Sequence, residues 1–108
     1  MSAVSPSGDD LVRVLATLAN PHRMRIVAAL ARERRYVSDL ARGLGISRAL
    51  LQLHLKKLEA CGLVTSTLEL SEDGKAMKFY ELTVFDIRLT PATVAEAAED
   101  LAPEGTQE

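Results

Sequence analysis

Residues 37–64 read VSDLARGLGISRALLQLHLKKLEACGLV and carry the strongest structural signal in the chain. Apolar residues recur there at the spacing of a buried helix face, in two short segments separated by Gly45 and Ser47. Gly45 suits the left-handed backbone that ends a helix, and Ser47 suits the cap of the next helix, predicted over 48–60. Two short helices joined by a tight turn that contains glycine predict a helix-turn-helix motif.

Two further helices are predicted before this motif. Apolar spacing and acidic residues at the start indicate a first helix from residue 9, and Pro21 suits the first position of a second helix over 21–33. The predicted inward face of the second helix comprises Met24, Val27, Ala28 and Leu30 or Ala31. After a short extended link, Ser38 is the predicted cap of the first motif helix, over 39–44.

A hairpin and one helix are predicted after the motif. The step Asp73-Gly74 lies between segments rich in Val, Thr, Leu, Phe and Tyr, which indicates a β-hairpin with a tight turn. Thr90 is a suitable cap and Pro91 a suitable first residue for the last helix. A hairpin that directly follows a helix-turn-helix is in the place of a wing.

The predicted fold class is mainly α: a winged helix-turn-helix in the order α-α-short β-α-α-β-hairpin-α. A length of 108 residues favours one domain. We expect this DNA-binding and dimerisation domain to span 9–102, with disordered tails at 1–8 and 103–108.

Charge is distributed unevenly along the chain. The net charge is only −2, yet nine basic and two acidic residues lie between His22 and Lys57. From Glu81 onward there are seven acidic residues, and Arg88 is the single base. A basic centre suits contact with phosphates, and a set of solvated helix faces is the alternative interpretation.

Several classes of protein are disfavoured by what the sequence lacks. Cys61 is the single cysteine, so no internal disulfide and no CxxC zinc site can form. No apolar run reaches membrane-spanning length and no secretory signal is recognisable, so we expect a cytoplasmic protein without a membrane partner. No phosphate-binding loop or catalytic motif is present, so we do not expect an enzyme.

The second motif helix supplies the candidate contacts to double-stranded DNA. A helix fits the major groove, where Arg can read guanine and Gln can read adenine. The candidates on this helix and on the flanks of the hairpin turn are Ser47, Arg48, Ala49, Gln52, Leu53, His54, Lys56, Lys75 and Lys78. For His54 the alternative is a packed, hydrogen-bonded side chain, and for the whole chain it is a protein–protein adaptor without DNA readout.

Several segments together resemble the ArsR/SmtB family of winged-helix repressors. They are LANPHRMRIV at 18–27, Leu40-Ala41 with LGIS at 44–47, HLKKL at 54–58 and GLV at 62–64. The resemblance covers about residues 11–101 and implies a transcription regulator that binds DNA as a homodimer joined through its first and last helices. It also implies that many relatives sense a metal or another stress signal and release DNA when it binds.

Apolar stripes on the first and last predicted helices are the candidate dimer interface. A domain this small is marginal alone, and pairing the stripes across a two-fold axis would bury them. The candidates are Leu11, Val14, Leu15, Leu18, Leu89, Val94, Ala98 and Leu101. A dimer of this kind predicts an inverted-repeat operator.

The chain departs from the family pattern on the recognition helix. Family members usually carry small hydroxyl residues near positions 49, 50 and 52, where this chain has Ala49, Leu50 and Gln52. Base preference therefore does not carry over from the family.

A second departure concerns the sensor sites. The cysteine pair of the family's thiolate sensors is missing from 37–40, and no histidine lies in 90–101, where its zinc and nickel sensors carry theirs. We therefore expect DNA binding that requires no cofactor and transition-metal binding that is micromolar or weaker, because oxygen-rich sites hold nickel or zinc weakly. The candidate ligands are His22, His54 and Cys61, and a regulatory partner protein is the alternative source of control.

Overall fold

The computed structural model describes residues 7–103 as five helices and a three-stranded sheet. The elements are α1 (Gly8–Leu18), α2 (Pro21–Leu30), β1 (Arg35–Tyr36), α3 (Val37–Leu44), α4 (Arg48–Ala60), β2 (Val64–Leu70), β3 (Ala76–Leu82) and α5 (Pro91–Glu99). The strands are antiparallel in the order β1-β3-β2. This confirms the predicted order, with the β2–β3 hairpin as the wing. No helix within 7–103 is long and apolar enough to cross a membrane.

The core lies where α2, α3 and α4 meet the base of the sheet. Its largest fully buried side chains are Tyr80, Ile26, Leu40, Leu51, Leu55, Leu58, Val37 and Val64. Burying one aliphatic side chain of this size contributes about 1.5–3 kcal/mol relative to leaving it exposed. Because three of these leucines lie on one face of α4, that helix is fixed by its inner face and its opposite face is free to bind.

The turn between α3 and α4 follows the sequence prediction. Gly45 has a φ of 70°, which is the left-handed conformation expected at the end of a helix. The backbone N–H of Ile46 donates to the carbonyl of Ala41 at 3.2 Å. The Ser47 hydroxyl accepts a hydrogen bond from the N–H of Leu50 at 3.0 Å and caps α4. These local contacts set the angle at which α4 leaves the motif.

Two predictions about the preceding elements are wrong. Ser38 does not cap α3, because Tyr36 pairs with Phe79 of β3 and the chain enters the helix directly at Val37. The helix α2 ends at Leu30, three residues before the predicted end, and Met24 and Ala28 are exposed although they were predicted to face inward. Leu30 is buried and Val27 packs against the core as predicted, and Ile26 is buried with them. The face of α2 that packs against α3, α4 and β3 is therefore rotated from the predicted one.

The first helix begins one residue before the predicted domain start. Gly8 is its first residue, and the Ser7 hydroxyl accepts from the N–H of Asp10 at 3.1 Å as the cap. The remaining parts of the two predicted tails, residues 1–6 and 104–108, lie outside the described residues.

Candidate nucleic-acid interface

The outward face of α4 is open to solvent along the N-terminal half of the helix. The exposed residues there include five of the predicted DNA contacts, namely Ser47, Arg48, Ala49, Leu53 and Lys56, and Gln52 is half-buried. The inner face is fixed because Leu51, Leu55 and Leu58 are 0% exposed. Anions are favoured at a helix N-terminus, and Arg48 in the first turn of α4 adds an exposed positive charge there.

A groove of about 200 Å³ separates α4 from the base of the wing. It is lined by Ala49, Gln52, Leu53, Lys56 and Glu59 of α4 and by Lys78 and Tyr80 of β3. The Lys78 ammonium lies 5.5 Å from the centre of the buried Tyr80 ring, which holds the lysine stem against the sheet. The helix and the wing thus form one surface with a lysine on each wall.

The tip of the wing carries Lys75, which does not line this groove. Gly74 has a φ of 84°, as the Asp73-Gly74 turn requires. The N–H of Ser71 donates to the carbonyl of Lys75 at 2.8 Å, and the Ser71 hydroxyl accepts from the N–H of Lys75 at 3.0 Å. That hydroxyl also donates to the Asp73 carboxylate, which lowers the pKa of Asp73. Lys75 therefore extends from a turn that its own backbone bonds hold closed.

Two wing leucines belong to this surface and were not among the predicted site residues. Leu68 and Leu70 are 68% and 76% exposed. They pair across the hairpin with Lys78 and Ala76, and cross-strand partners share a face of the sheet. The alternation of Leu68 and Leu70 could have indicated an apolar strand face, but not that this face stays uncovered.

The opposite face of the wing is attached to the link between α2 and β1. The Arg34 guanidinium donates to both carboxylate oxygens of Glu69, at 2.5 and 3.2 Å, and lies 4.3 Å from the centre of the Phe79 ring. The hydrogen bond from Arg34 holds the pKa of Glu69 below its usual range. This bidentate pair orients the hairpin relative to the helix-turn-helix.

His54 does not lie on the outward face of α4. It is 8% exposed, its Nδ1 is 3.2 Å from a guanidinium nitrogen of Arg23, and its ring centre is 5.4 Å from that of His22. Burial, followed by the nearby Arg23 charge, lowers the pKa of His54 below its ordinary value. The structure therefore removes His54 from the set of DNA contacts and corrects that prediction in favour of the packed alternative.

The three metal candidates do not converge. Cys61 lies seven residues beyond His54 at the end of α4, about 10 Å away by helix rise, where its thiol contacts the carbonyl of Leu58 at 3.7 Å. Within 7–103, no three His, Cys, Asp or Glu side chains are placed to hold a metal ion together. Of the candidates, only His22 and His54 are neighbours, and Arg23 adds a positive charge beside them.

The predicted dimer face is formed by α1 and α5, which pack against each other. The N–H of Gly8 donates to the Asp100 carboxylate at 2.6 Å. Leu11 and Val14 are each 8% exposed, so within the protomer they are already largely covered. Leu18 is half-buried, and the predicted residues that remain exposed are Leu15, Leu89, Val94, Ala98 and Leu101. Val12 is also exposed and extends this apolar face on α1.

Sequence comparison links the motif region to a family of regulators. The family model described as "Bacterial regulatory protein, arsR family" matches residues 20–66. The helix-turn-helix transcriptional regulator MJ0229 of Methanocaldococcus jannaschii is 36% identical over 76 residues, which is 70% of this chain and 79% of that protein. The transcriptional regulator CmtR of Mycobacterium tuberculosis is 42% identical over 59 residues, which is 55% of this chain and 50% of CmtR.

Solved structures share the fold over most of the chain. HlyU from Vibrio cholerae is 25% identical, with a TM-score of 0.61 over 84% of this chain and 87% of HlyU. The homodimeric winged helix-turn-helix DNA-binding domain of Mb0332 from Mycobacterium bovis is 24% identical, with a TM-score of 0.63 over 84% of this chain and 74% of that chain. These likenesses confirm the winged helix-turn-helix fold.

Proposed function

Because the chain belongs to the arsR family of bacterial regulatory proteins, a family of transcription regulators, we propose that it binds operator DNA as a homodimer with α4 in the major groove. One observation carries this proposal. The outer face of α4 presents Arg48 and Gln52 to solvent, while three fully buried leucines hold its inner face. A rigid helix with an open polar face is what base readout requires.

The contacts divide into those that read bases and those that position the protein. Arg48 has the donors to read guanine and Gln52 has the amide to read adenine, while exposed Leu53 suits the methyl group of thymine. Ser47, Ala49 and Lys56 would lie close to the phosphate backbone of the DNA, and Lys75 and Lys78 would extend the contact along the wing. Phosphate contacts from these lysines would supply affinity that is independent of sequence.

The homodimer would use the exposed apolar residues of α1 and α5. Val94 on α5 is 48% exposed, and Leu101, two residues beyond the end of α5, is 44% exposed. A solved relative by fold, the Mb0332 domain, is homodimeric. Pairing two copies through this face would place two α4 helices about one DNA turn, roughly 34 Å, apart on an inverted repeat.

A protein–protein adaptor is the second candidate function. The observation in its favour is the apolar wing face, because exposed Leu68 and Leu70 are unusual beside a phosphate-binding surface. We favour DNA binding because the same face carries Lys78 and adjoins the groove along α4.

No cofactor is required for the proposed DNA binding. Weak nickel or zinc binding would involve His22 and His54, which offer two imidazoles where a tight site needs three or four ligands. Control by a regulatory partner protein is the alternative to a metal signal. Operator binding in the presence of a chelator is therefore expected to match binding without it.

Selection from random duplexes, followed by binding in rising salt, tests the proposed function. We expect an enriched inverted repeat and an affinity that falls steeply with salt as phosphate-bound counterions are released. Arg32→Ala is the matched control for an Arg48→Ala variant of α4, because it also removes one exposed positive charge but lies outside the groove lining. A protein that enriches no sequence and binds duplex with no salt dependence would instead be an adaptor.

A further inference from the structure

Arg23 joins three helices through its backbone and side chain. Its N–H donates to the Asn20 side chain at 3.1 Å, which fixes the residue in the first turn of α2. Its Nε donates to the carbonyl of Thr17, in the last turn of α1, at 2.6 Å. Its Nη1 lies 3.2 Å from Nδ1 of His54 on α4. One guanidinium therefore connects the end of α1 to the recognition helix.

The partner of Arg23 must be a neutral imidazole. A guanidinium only donates hydrogen bonds, so Nδ1 of His54 accepts and its ring proton lies on Nε2. Nε2 is buried and has no hydrogen-bond partner among residues 7–103. A buried donor without a partner destabilises the fold, and an apolar residue in this place would avoid that cost. The contribution of His54 is therefore its bond to Arg23 and not packing alone.

Basic side chains on α2 and on α4 itself oppose the protonation of His54. Arg23 and His22 face it from α2, and Lys57 comes from its own helix. Arg13 of α1 lines the same shallow surface cavity as Arg23 and Lys57. Protonation would remove the acceptor at Nδ1 and place a cation against the guanidinium. Burial is the main reason why the pKa of His54 lies below its ordinary value, and the charges of Arg23, His22 and Lys57 lower it further.

We propose that Arg23 and His54 are positioning residues whose hydrogen bond fixes the recognition helix α4 relative to α1, so that operator affinity depends on this bond. The inference rests on the proposed binding of DNA by α4. Because α1 contributes to the proposed dimer face, the same bond connects that face to the DNA-reading helix. Neither residue needs to touch DNA for this effect.

Three variants separate the hydrogen bond from the packing of the ring. His54→Asn keeps an acceptor near the position of Nδ1, and His54→Leu fills the site without one. We expect His54→Asn to bind operator nearly as well as the wild type and His54→Leu to bind about tenfold more weakly. His22→Gln is the matched control and is expected to keep full affinity, because His22 makes no bond to Arg23.

Operator affinity measured against pH distinguishes the hydrogen bond from a purely structural role of His54, because packing of the ring alone would not make affinity depend on its protonation. His54 has a lowered pKa in the folded protein, so its neutral form prevails at neutral pH. In the folded protein the acceptor at Nδ1 is lost as the pH falls through this lowered pKa, which lies below the ordinary value of about 6.5. The same protonation lowers the stability of the fold as the pH falls from the ordinary value through the lowered one. Wild type and His22→Gln should therefore lose operator affinity on acidification, whereas His54→Asn should lose much less.

Equal operator affinity of wild type and folded His54→Leu would overturn the inference, as would fully additive effects of His54→Leu and Arg23→Met. A DNA-free measurement separates this outcome from failure of the proposed function. In an NMR titration, the pKa of His54 should rise in Arg23→Met and its proton should lie on Nε2 in the wild type. An unchanged pKa would overturn the inference, and a wild type that binds no duplex would overturn only the DNA-binding function.

Discussion

Helices α4 and α5 are capped in the same way at their N-termini but differ in how much of each helix is buried. Ser47 caps α4 by accepting from a backbone N–H at 3.0 Å, and Thr90 caps α5 in the same way at 3.1 Å. Both helices carry apolar residues at helical spacing. Yet α4 contains three side chains that are 0% exposed, whereas no residue of α5 is buried.

The comparison separates what forms a helix from what fixes it. A cap satisfies N–H groups within a few residues and sets where a helix begins, whatever surrounds it. Burial depends on neighbouring elements: α4 packs within its own protomer, whereas α5 touches mainly α1. We infer that α4 is part of the folding core and that α5 is completed by the second copy proposed above.

The largest expected effect comes from shortening matched apolar residues on the two helices. Leu55→Ala should lower the free energy of unfolding by about 2–5 kcal/mol, because it opens a cavity in the core. Val94→Ala should change it by less than about 1 kcal/mol at concentrations where protomers are separate, because the side chain is already exposed. Urea unfolding of both variants checks this. Equal losses would show that α5 belongs to the protomer core.

A methyl group at Gly8 tests how α5 is held. A Cβ there would overlap the carbonyl oxygen of Ala97, so the backbone of α5 must shift. We expect Gly8→Ala to cost about 1–3 kcal/mol in thermal unfolding. Gly43→Ala is the control: its Cβ would meet only the end of the Arg35 side chain at 3.4 Å. A Gly8→Ala variant as stable as the wild type would show that α1 and α5 are not closely packed in solution.

The outer face of α4 is tested by removing its base-reading groups. Arg48→Ala and Gln52→Ala should each weaken specific operator binding by about 1–3 kcal/mol and relax the preference at one base pair. Stability should be nearly unchanged, because Arg48 is exposed and Gln52 lies at the edge of the groove. Binding to operator and to random duplex is compared by fluorescence anisotropy. Equal losses on both duplexes would assign these residues to phosphate contacts.

The smallest expected effect is that of the wing. Changing Lys75 and Lys78 together to Ala should weaken binding similarly on all sequences and reduce the salt slope by about 2. Affinity measured at several salt concentrations gives the slope. An unchanged slope would place the wing away from DNA and would favour a protein partner for the face that carries Leu68 and Leu70.

The sequence predicted the motif well because its signals are local. Gly45, Ser47 and Gly62 each act within one helical turn, so the bounds of α4 follow from them. The cap at Ser38 failed because a distant strand decided the start of α3: pairing of Tyr36 with β3 takes precedence over a side-chain cap. A strand pairing over this sequence distance leaves no trace in local propensity.

The parts of the site that escaped prediction depend on helix orientation. The positions of His54 and Leu53 differ by one residue, yet one side chain is 8% exposed and the other 59%. Helical spacing already puts His54 on the inner side of α4, three residues after Leu51 and four before Leu58, but the residue that its ring meets depends on how α2 crosses α4. The bond from Arg23 to His54 spans 31 residues and was for the same reason not predictable.

The mass of the operator complex in analytical ultracentrifugation tests the central claim most directly. If α4 reads DNA while α5 pairs with a second copy, two protomers bind one inverted repeat, and its half-sites are about one helical turn of DNA apart. The claim also predicts that Val94→Asp, which places a charge on the exposed face of α5, shifts the free protein to a monomer and leaves α4 intact. A wild-type monomer that occupies a single asymmetric site would contradict the account.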